Sequence, residues 1–275
     1  MNDSNNPIVK QYSTPNLFNS ITNALKNTNK NLNEVTIKDL ASVDFFHIRG
    51  HQSTKELANV CELTPNLKIL DIGCGIGGTV RYLASDYGCY VTGLDIIDEY
   101  TKTASKLSEL LKLNDKTEFK TGSAINLPFR DEMFDVVWTE HVQMNVKDKN
   151  KFYSEVYRVL KRGGKLVFHD VFSEKSDLVY YPVPWADDNS VSFLMEVSDV
   201  ERLLKSFSYK ISFWEDKTEI SAKAFQKSFK KIKLNGFPPL GLQLLMGENT
   251  ADKIKNMALN LSEKRLTVIQ CVRAK

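Results

Sequence analysis

Between residues 67 and 172, short apolar runs alternate with longer amphipathic segments. The runs LKILDIG, CYVTGLD, FDVVWTEH and KLVFHDVF are almost unbroken apolar stretches, and TEFKTGSA is a weaker one. The segments between them carry apolar residues at the three- and four-residue spacing of a helix. Apolar strands that alternate with helices are typical of a parallel sheet covered on both faces. The pattern therefore predicts an α/β domain built on a mainly parallel sheet.

The flanking segments predict further elements around this sheet. Before residue 60, apolar residues at helical spacing indicate helices in an N-terminal arm. After Phe172 the alternation pauses at YYPVPWADDNSVSFL, a Pro- and aromatic-rich loop too long for a simple connection. A helix, a strand, a helical stretch over 219–262 and a last strand, EKRLTVIQCVRAK, follow. We expect one domain over 1–275, with a helical lid at 1–60, a core at 61–172, and a substrate loop, helical insert and last strands at 173–275.

Composition and charge narrow the function classes. Apolar residues make up 42% of the chain and charged residues 26%, as in ordinary globular domains. The formal net charge of +3 is too small to indicate a nucleic-acid partner, and no apolar run approaches the roughly 18 residues of a membrane span. The four cysteines lie far apart without a CxxC pair, so we expect neither disulfides nor a metal site. We expect a cytoplasmic protein that acts on a small molecule, and leave a homodimer open.

The sharpest motif is the glycine-rich segment DIGCGIGG (residues 71–78), which directly follows the first strand and precedes a helix. Glycines let a backbone turn tightly and approach a ligand without a β-carbon in the way. Dinucleotide-binding enzymes use a similar loop. Asp71 argues against a pyrophosphate, because a carboxylate there would repel it, and instead suits a ligand that carries an ammonium group. Asp95 ends the next strand, where a carboxylate can bind a ribose diol of either ligand.

Over roughly residues 45–172 the chain resembles class I S-adenosylmethionine-dependent methyltransferases. The likeness rests on DIGCGIGG and LDI, and on TGSAINLPFRDEMFDVVWTEHV and RVLKRGGKLVFHD, in that order and with suitable spacing. It implies a Rossmann-like sheet of seven strands with the last antiparallel, and S-adenosyl-L-methionine as cofactor. Ser123 stands where the family often has Asp, which weakens or re-routes the contact to the adenine amino group. The cofactor-binding residues that the resemblance implies are Asp71, Gly73, Gly75, Gly77, Asp95, Ile96, Ser123 and Ala124.

Candidate catalytic residues follow the fourth strand and lie in the N-terminal arm. A base with a pKa near 7 helps an amine acceptor, and histidine is the natural choice. His141 lies at the carboxyl end of the fourth strand, where open α/β sheets bind ligands, in the polar cluster EHVQMN. We predict His141 as a base or substrate orienter, and Asn145 of the same cluster as a substrate-binding residue. Gln11-Tyr12 resembles the Gln-Tyr of phosphoethanolamine methyltransferases. That likeness implies a Tyr12–His141 pair that latches the arm when both ligands are bound, unless Tyr12 only anchors the first helix.

Two further segments resemble sarcosine/dimethylglycine N-methyltransferases. In DFFHIRGH (residues 44–51), Arg49 is a candidate for holding a carboxylate of substrate or cofactor by a bidentate contact, with a plain surface charge as the alternative. In YYPVPW (residues 180–185), Tyr181 and Trp185 are candidates for an aromatic cage around a methylated ammonium group, with simple coverage of the core as the alternative.

These features together favour methyl transfer to an amine nitrogen of a small metabolite, with glycine-betaine precursors as the leading acceptors. A quinone, a sterol or a phosphoethanolamine is the alternative acceptor, and a long apolar one needs a channel that the helices of 219–262 could supply. A nicotinamide oxidoreductase is disfavoured by Asp71 and by the lack of a Tyr-x-x-x-Lys pair after the fourth strand. A non-catalytic module that binds S-adenosylmethionine is the remaining alternative.

Overall fold

The computed structural model of the chain describes residues 6–174 and 179–275, and the strands within them form one seven-stranded sheet. These strands are β1 (Lys68–Ile72), β2 (Tyr90–Asp95), β3 (Thr117–Thr121), β4 (Phe134–Glu140), β5 (Leu160–Ser173), β6 (Lys210–Asp216) and β7 (Leu266–Ala274). Their order in the sheet is β3-β2-β1-β4-β5-β7-β6. The pairs among β1 to β5 are parallel, whereas β7 is antiparallel to both β5 and β6. The predicted mainly parallel sheet with an antiparallel last strand is confirmed.

Helices cover both faces of this sheet. In chain order they are α1 (Pro7–Tyr12), α2 (Leu17–Asn27), α3 (Ile37–Asp44), α4 (His51–Cys61), α5 (Gly78–Tyr87), α6 (Asp98–Leu110), α7 (Lys149–Val159), α8 (Val197–Ser206), α9 (Thr218–Asn235), α10 (Gln243–Met246) and α11 (Thr250–Ser262). Successive strand side chains point to opposite faces: Leu70 of β1 packs with α7 and α8, and its neighbour Ile69 with α4 and α5. None of the helices in the described ranges is long and apolar enough to cross a membrane.

The strand register brings the carboxyl ends of the central strands to one edge of the sheet. Ile72 of β1 lies opposite Leu94 of β2 on one side and Thr139 of β4 on the other. Glu140, the last residue of β4, lies opposite His169 of β5. The loops that follow β1, β2 and β4 therefore meet at this edge, which is where ligands bind in open α/β sheets.

The N-terminal arm (residues 6–50) lies over this edge. Its helices α2 and α3 bury an apolar stripe against residues that follow β1 and β2. Burial of such side chains is the main force that keeps the arm in place. The residues in this contact are Leu17, Ile21, Leu25, Leu40 and Val43 from the arm and Ile76, Ile97 and Tyr100 from the core.

An ion pair fixes the end of α3 to α5. Nη2 of Arg81 lies 2.5 Å from Oδ1 of Asp44, and both side chains are fully buried. Arg81 also donates from Nη1 to the carbonyl of Ala104 at 3.3 Å. The contact is so close that a β-carbon at Gly78 would lie 2.2 Å from the carbonyl oxygen of Asp44. This pair sets where the arm enters the core.

We predict that Arg81→Met lowers the free energy of unfolding by about 3–5 kcal/mol, because it leaves the Asp44 carboxylate buried without its partner. Lys102→Met is the matched control: it removes a lysine that pairs with Asp98 on the surface and is 66% exposed, and exposed pairs of this kind contribute only about 0.5 kcal/mol. Denaturant unfolding of both variants measures the difference. Equal losses would show that the buried pair does not anchor the arm.

Candidate functional site

A cavity of about 1710 Å³ lies at the carboxyl edge of the sheet. Its walls come from the glycine-rich loop, the ends of β2 and β4, the N-terminal arm, α9 and α11. Ligand sites usually enclose about 300–1,000 Å³, so this one has room for two ligands side by side. The predicted site residues that line it are Tyr12, Arg49, Asp71, Gly73, Gly75, Asp95, Ile96, Ser123, Ala124, His141, Asn145 and Trp185.

Asp71 presents its carboxylate to this cavity, and that carboxylate has no hydrogen-bond donor among the described residues. It is only 3% exposed, and no residue in the described ranges donates a hydrogen bond to it. Burial, together with repulsion from Glu140 and Asp95, raises its pKa well above the usual range. A buried carboxylate without partners favours a cationic ligand, because a positive charge restores the electrostatic stabilisation that burial removed.

The glycine-rich loop brings its backbone to the cavity at two positions. Gly73 and Gly75 have φ angles of 72° and 54°, in the left-handed region that favours glycine. A β-carbon at Gly73 would lie 2.2 Å from Cγ2 of Val142, while one at Gly75 would meet open space. The loop thus leaves room for a ligand directly over Gly75.

Gly77 has a packing role in addition to the one predicted. It does not contribute to the cavity wall that the described residues form, and a β-carbon there would lie 2.7 Å from the ring of Phe119. Its φ of 85° and this close approach explain why glycine is needed. Gly77 packs the loop against β3, and its predicted contact with the ligand stays a prediction.

Asp95 binds the glycine-rich loop by a hydrogen bond and can still accept hydrogen bonds from a ligand. Its Oδ2 accepts from the backbone N–H of Gly75 at 2.9 Å, and its Oδ1 accepts from Ile97 at 2.9 Å. Burial raises its pKa to about 6, with these backbone N–H groups acting in the opposite direction. Each carboxylate oxygen can accept more than one hydrogen bond, so a diol on the ligand has acceptors here.

The wall beyond Asp95 is less polar. Ile96 and Ala124 line it with apolar surface, and Ser123 supplies a hydroxyl. The Ser123 Oγ accepts from the N–H of Ile125 at 3.4 Å, within a local turn. This region suits a flat, mostly apolar group held by packing more than by charge.

His141 is an uncharged side chain in the cavity wall. Its Nε2 accepts from the N–H of Ile48 at 3.3 Å, so the neutral ring carries its proton on Nδ1, which has no partner among the described residues. Burial, then the neighbouring His169 and His47, lowers its pKa well below the usual range. Of the two predicted roles, this geometry favours an orienter that donates from Nδ1 over a base.

Three neighbours of His141 were not predicted as site residues: His169, Glu140 and His47. His169 donates from Nε2 to the carbonyl of Ile48 at 2.9 Å, so the two histidines hold both sides of one arm residue. Glu140 accepts from Thr79 at 2.8 Å, and its Oε2 lies 3.5 Å from Nε2 of His47. A sequence signal existed: the ends of β4 and β5 are adjacent in the sheet, which places Glu140 opposite His169.

Asn145 connects the arm to the loops that follow β4 and β5. Its Oδ1 accepts from the Tyr12 hydroxyl at 2.8 Å, and its Nδ2 donates to the carbonyls of Trp185 at 3.1 Å and Val191 at 2.8 Å. Here the Tyr12 hydroxyl bonds to Asn145, and the Tyr12–His141 pair expected with both ligands bound stays a prediction. Both protons of the Asn145 amide are donated to the protein, so only its Oδ1 has capacity left for a substrate in the cavity that it lines.

Arg49 is engaged by the chain itself. Its guanidinium makes two contacts with the carboxylate of Glu56, one of them a 2.8 Å bond from Nη1 to Oε2. Although burial raises the pKa of Glu56, hydrogen bonds from Arg49 and Gln52 bring it down to about 2. The guanidinium fork that was predicted to clamp a ligand carboxylate holds Glu56 here, and its use for a ligand stays a prediction.

The aromatic loop after β5 contributes one ring to the cavity. Trp185 is buried, lines the wall and donates from Nε1 to the Ser192 hydroxyl at 3.0 Å. Tyr181 is half-buried and packs against the apolar cluster that contains Val171 and Val183, away from the wall formed by the described residues. The predicted cage of Tyr181 and Trp185 is thus not assembled.

Comparison with known proteins finds a family model that matches part of this chain. Residues 70–168 match the family model described as a methyltransferase domain. The chain is 34% identical over 127 residues to a glycine/sarcosine/dimethylglycine N-methyltransferase of Actinopolyspora halophila, covering 46% of this chain and 22% of that protein. It is 30% identical over 168 residues to a sterol 24-C-methyltransferase of Debaryomyces hansenii, covering 58% of this chain and 44% of that protein. The chain thus spans less than half the length of either curated relative.

A solved structure shows the same fold. A candidate sarcosine dimethylglycine methyltransferase of Galdieria sulphuraria superposes with a TM-score of 0.67 at 19% identity, covering 82% of this chain and 85% of that one. The Rossmann-like architecture and the resemblance to class I methyltransferases are confirmed.

We predict that Asn145→Ala and Tyr12→Phe release α1 to a similar extent, because both remove the Tyr12–Asn145 hydrogen bond. Asn145→Ala also leaves the carbonyls of Trp185 and Val191 without their donor, so it lowers the free energy of unfolding by roughly 2–4 kcal/mol, against about 1 kcal/mol for Tyr12→Phe. Amide hydrogen exchange in residues 7–12 measures the release, with exchange in β4 as the internal reference, and denaturant unfolding measures the stability. Unchanged protection of α1 in either variant would contradict a latch formed by this hydrogen bond.

Proposed function

We propose, from the premise that residues 70–168 are a methyltransferase domain of the class I fold, that this protein transfers the methyl group of S-adenosyl-L-methionine to a small-molecule acceptor with an extended apolar body. The observation that carries the cofactor assignment is the donorless, buried carboxylate of Asp71 beside the open backbone of Gly75. The division into an arm, a core and a C-terminal part, the cytoplasmic location, a homodimer and the lack of a nucleic-acid partner stay predictions.

The residues present fit this cofactor. Asp71 offers a charge partner to an ammonium group, and Asp95 offers acceptors to a ribose diol. Ile96 and Ala124 offer apolar surface to a purine ring, and Ser123 offers a hydroxyl where a carboxylate is absent. When bound, the cofactor supplies an activated methyl group on a sulfonium, whose leaving group is already good.

The residues of the chain position the acceptor and exclude water. The Nδ1–H of His141 is free to donate to a polar atom of the acceptor, which orients the reacting end. The Tyr12–Asn145 bond holds the arm over the site, and the two histidines that grip Ile48 hold its second anchor. These contacts hold the arm in the wall of the cavity.

The size and lining of the cavity support an apolar acceptor. Beyond the part that Asp71 and Asp95 border, the wall is formed mainly by apolar side chains from the loop after β5 and from the C-terminal helices. The sterol 24-C-methyltransferase relative is named for an acceptor of this kind. The apolar lining residues of this region are Met144, Phe193, Met195, Leu203, Phe225, Leu245, Ile254 and Met257.

A small methylated amine is the second candidate acceptor. It is favoured by Trp185, whose ring faces the cavity and can attract a cation, and by the relative named as a glycine/sarcosine/dimethylglycine N-methyltransferase. Against it stand the engagement of Arg49 by Glu56 and the position of Tyr181. Neither of these residues is available for the carboxylate or the cage that such a substrate would use.

We predict that Asp71→Asn weakens binding of S-adenosylhomocysteine roughly 10- to 100-fold, the effect of losing a charged hydrogen-bond acceptor. Asp115→Asn, a change at an exposed carboxylate, is the control and leaves the affinity unchanged. Isothermal titration calorimetry measures both. Unchanged affinity in Asp71→Asn would refute the proposed cofactor site.

The pH dependence of the same binding follows from the raised pKa values. Burial raises the pKa of Asp71, and that of Asp95 to about 6, so the free protein holds protons on them as the pH falls. A cationic ligand needs these carboxylates ionised, so binding releases protons and weakens as pH falls from 8 to 5, by up to about tenfold per unit below each pKa. In Asp71→Asn the profile becomes flatter. If affinity fell equally steeply with pH in the unaltered protein and in Asp71→Asn, the released protons would come from groups other than Asp71.

We predict that Ala224→Phe, on α9 in the cavity wall, separates the two acceptor classes. A phenyl ring there occupies space that a sterol- or quinone-sized acceptor needs, and overpacking of this kind costs about 1–3 kcal/mol, or roughly tenfold or more in kcat/KM. A small amine keeps its space. Turnover of sterols, quinones, sarcosine and dimethylglycine by both proteins measures this, with S-adenosylhomocysteine affinity as the folding control. Turnover of amines alone, unaffected by Ala224→Phe, would refute the apolar acceptor and leave methyl transfer standing.

A further inference from the structure

One exposed face of α9 combines lysines with apolar side chains. Ile220, Lys223, Lys227, Lys230 and Leu234 recur at three- and four-residue intervals, which puts them on one stripe of the helix. All five are exposed; Ile220 is 48% exposed and Leu234 82%. We call this stripe the α9 face.

The opposite side of the same helix is the one that packs. Phe225, Phe229 and Ile232 are partly buried, and Ser221 and Ala222 are buried. The helix lies against α11. The α9 face is therefore turned away from the core, and core packing does not account for the exposed leucine.

The lysines of the α9 face form a concentration of uncompensated positive charge. Lys227 and Lys230 contact no acidic side chain in the part of the chain that the structure describes. Lys223 pairs only with Glu219, where both side chains are more than two-thirds exposed, and such pairs are weak. The turn after α9 adds an exposed apolar residue, Phe237, which is 39% exposed.

We propose that the α9 face, together with Phe237, docks on the surface of an anionic lipid bilayer. Lysines near such a surface are attracted to its headgroups, and exposed apolar side chains among them enter the boundary between headgroups and acyl chains. The charge alone would also suit a nucleic acid. The bilayer is favoured because a nucleic-acid backbone would leave Leu234 and Phe237 in water, whereas acyl chains remove both from it.

The position of the α9 face beside the cavity relates docking on a bilayer to the binding of an acceptor. Ala224, Phe225, Lys227 and Ser228 of the same helix line the cavity, so the cavity opens beside the docking surface. An apolar acceptor dissolved in the bilayer would enter it without crossing water. This last step rests on the proposed function, whereas the docking itself does not.

Co-sedimentation of the full chain with vesicles tests the docking. The expected result is binding to phosphatidylglycerol–phosphatidylcholine vesicles and not to phosphatidylcholine alone, with weaker binding as salt is added. Replacing Lys223, Lys227 and Lys230 by Gln should lower the partition coefficient on the order of 100-fold, roughly fivefold for each lysine. The matched control replaces Lys102, Lys112 and Lys151 by Gln, which changes the net charge equally and should leave binding nearly unchanged.

A second variant separates a bilayer from a nucleic acid. Leu234→Ser with Phe237→Ser keeps every charge, and should weaken vesicle binding about tenfold or more because it removes the inserted apolar groups. No vesicle binding by the unaltered protein, equal losses in the two lysine variants, or an unaffected serine variant would each overturn the proposal. Binding to single-stranded RNA that ignores the serine changes, without vesicle binding, would assign the face to nucleic acid instead. S-adenosylhomocysteine affinity, measured in parallel, tests the proposed function separately.

Discussion

The buried carboxylate of Asp71 is the constraint around which the site is built. Two other acids lie close to it, and each has donors: Asp95 accepts backbone N–H groups, and Glu140 accepts threonine hydroxyls. Asp71 has none among the described residues. A nearly buried acid without a protein donor is unfavourable for stability, so its presence near the end of β1 is explained by a ligand in the cavity that compensates it.

The N-terminal arm lies over the edge of the sheet where Asp71 is buried. Its anchors differ in kind. The Asp44–Arg81 pair is charged and wholly buried, and the apolar stripe of α2 and α3 packs against the core. At the far end of the arm, α1 is held by the neutral Tyr12–Asn145 hydrogen bond and by the packing of Tyr12 against Phe46 and Tyr100. The arm is thus fixed by charge and burial at its inner part and by one hydrogen bond and aromatic contacts at α1.

How much of the fold and of the candidate site could be predicted from the sequence depended on how close along the chain each residue's contact partner lies. The sheet, the glycine-rich loop, Asp71 and Asp95 were predicted because strand ends and loops are set by residues close along the chain. Arg49 shows that a nearby partner is not sufficient: Glu56 lies only seven residues away, yet nothing in the local pattern says that helix α4 turns it toward the guanidinium.

The contacts of Asn145 and Tyr181 could not be predicted because they are made over a longer range. Tyr12 and Asn145 are 133 positions apart, and the position of Tyr181 is decided by packing against β5, β7 and α11. A resemblance to relatives carried residue types across correctly but not the contacts that those residues make here. The same reasoning explains Glu140 and His169, whose proximity follows from strand register alone once the sheet order is known.

The charged groups of the cavity act differently on the two ligands of the proposed reaction. Asp71 and Asp95 lie beside the glycine-rich loop, whereas the wall elsewhere carries charges of both signs, among them Lys147, Asp148 and Lys227, between apolar side chains. A cationic methyl donor is therefore stabilised mainly at Asp71 and Asp95, whereas an apolar acceptor meets favourable surface on the apolar part of the wall. The two ligands of the proposed reaction thus favour different parts of one cavity.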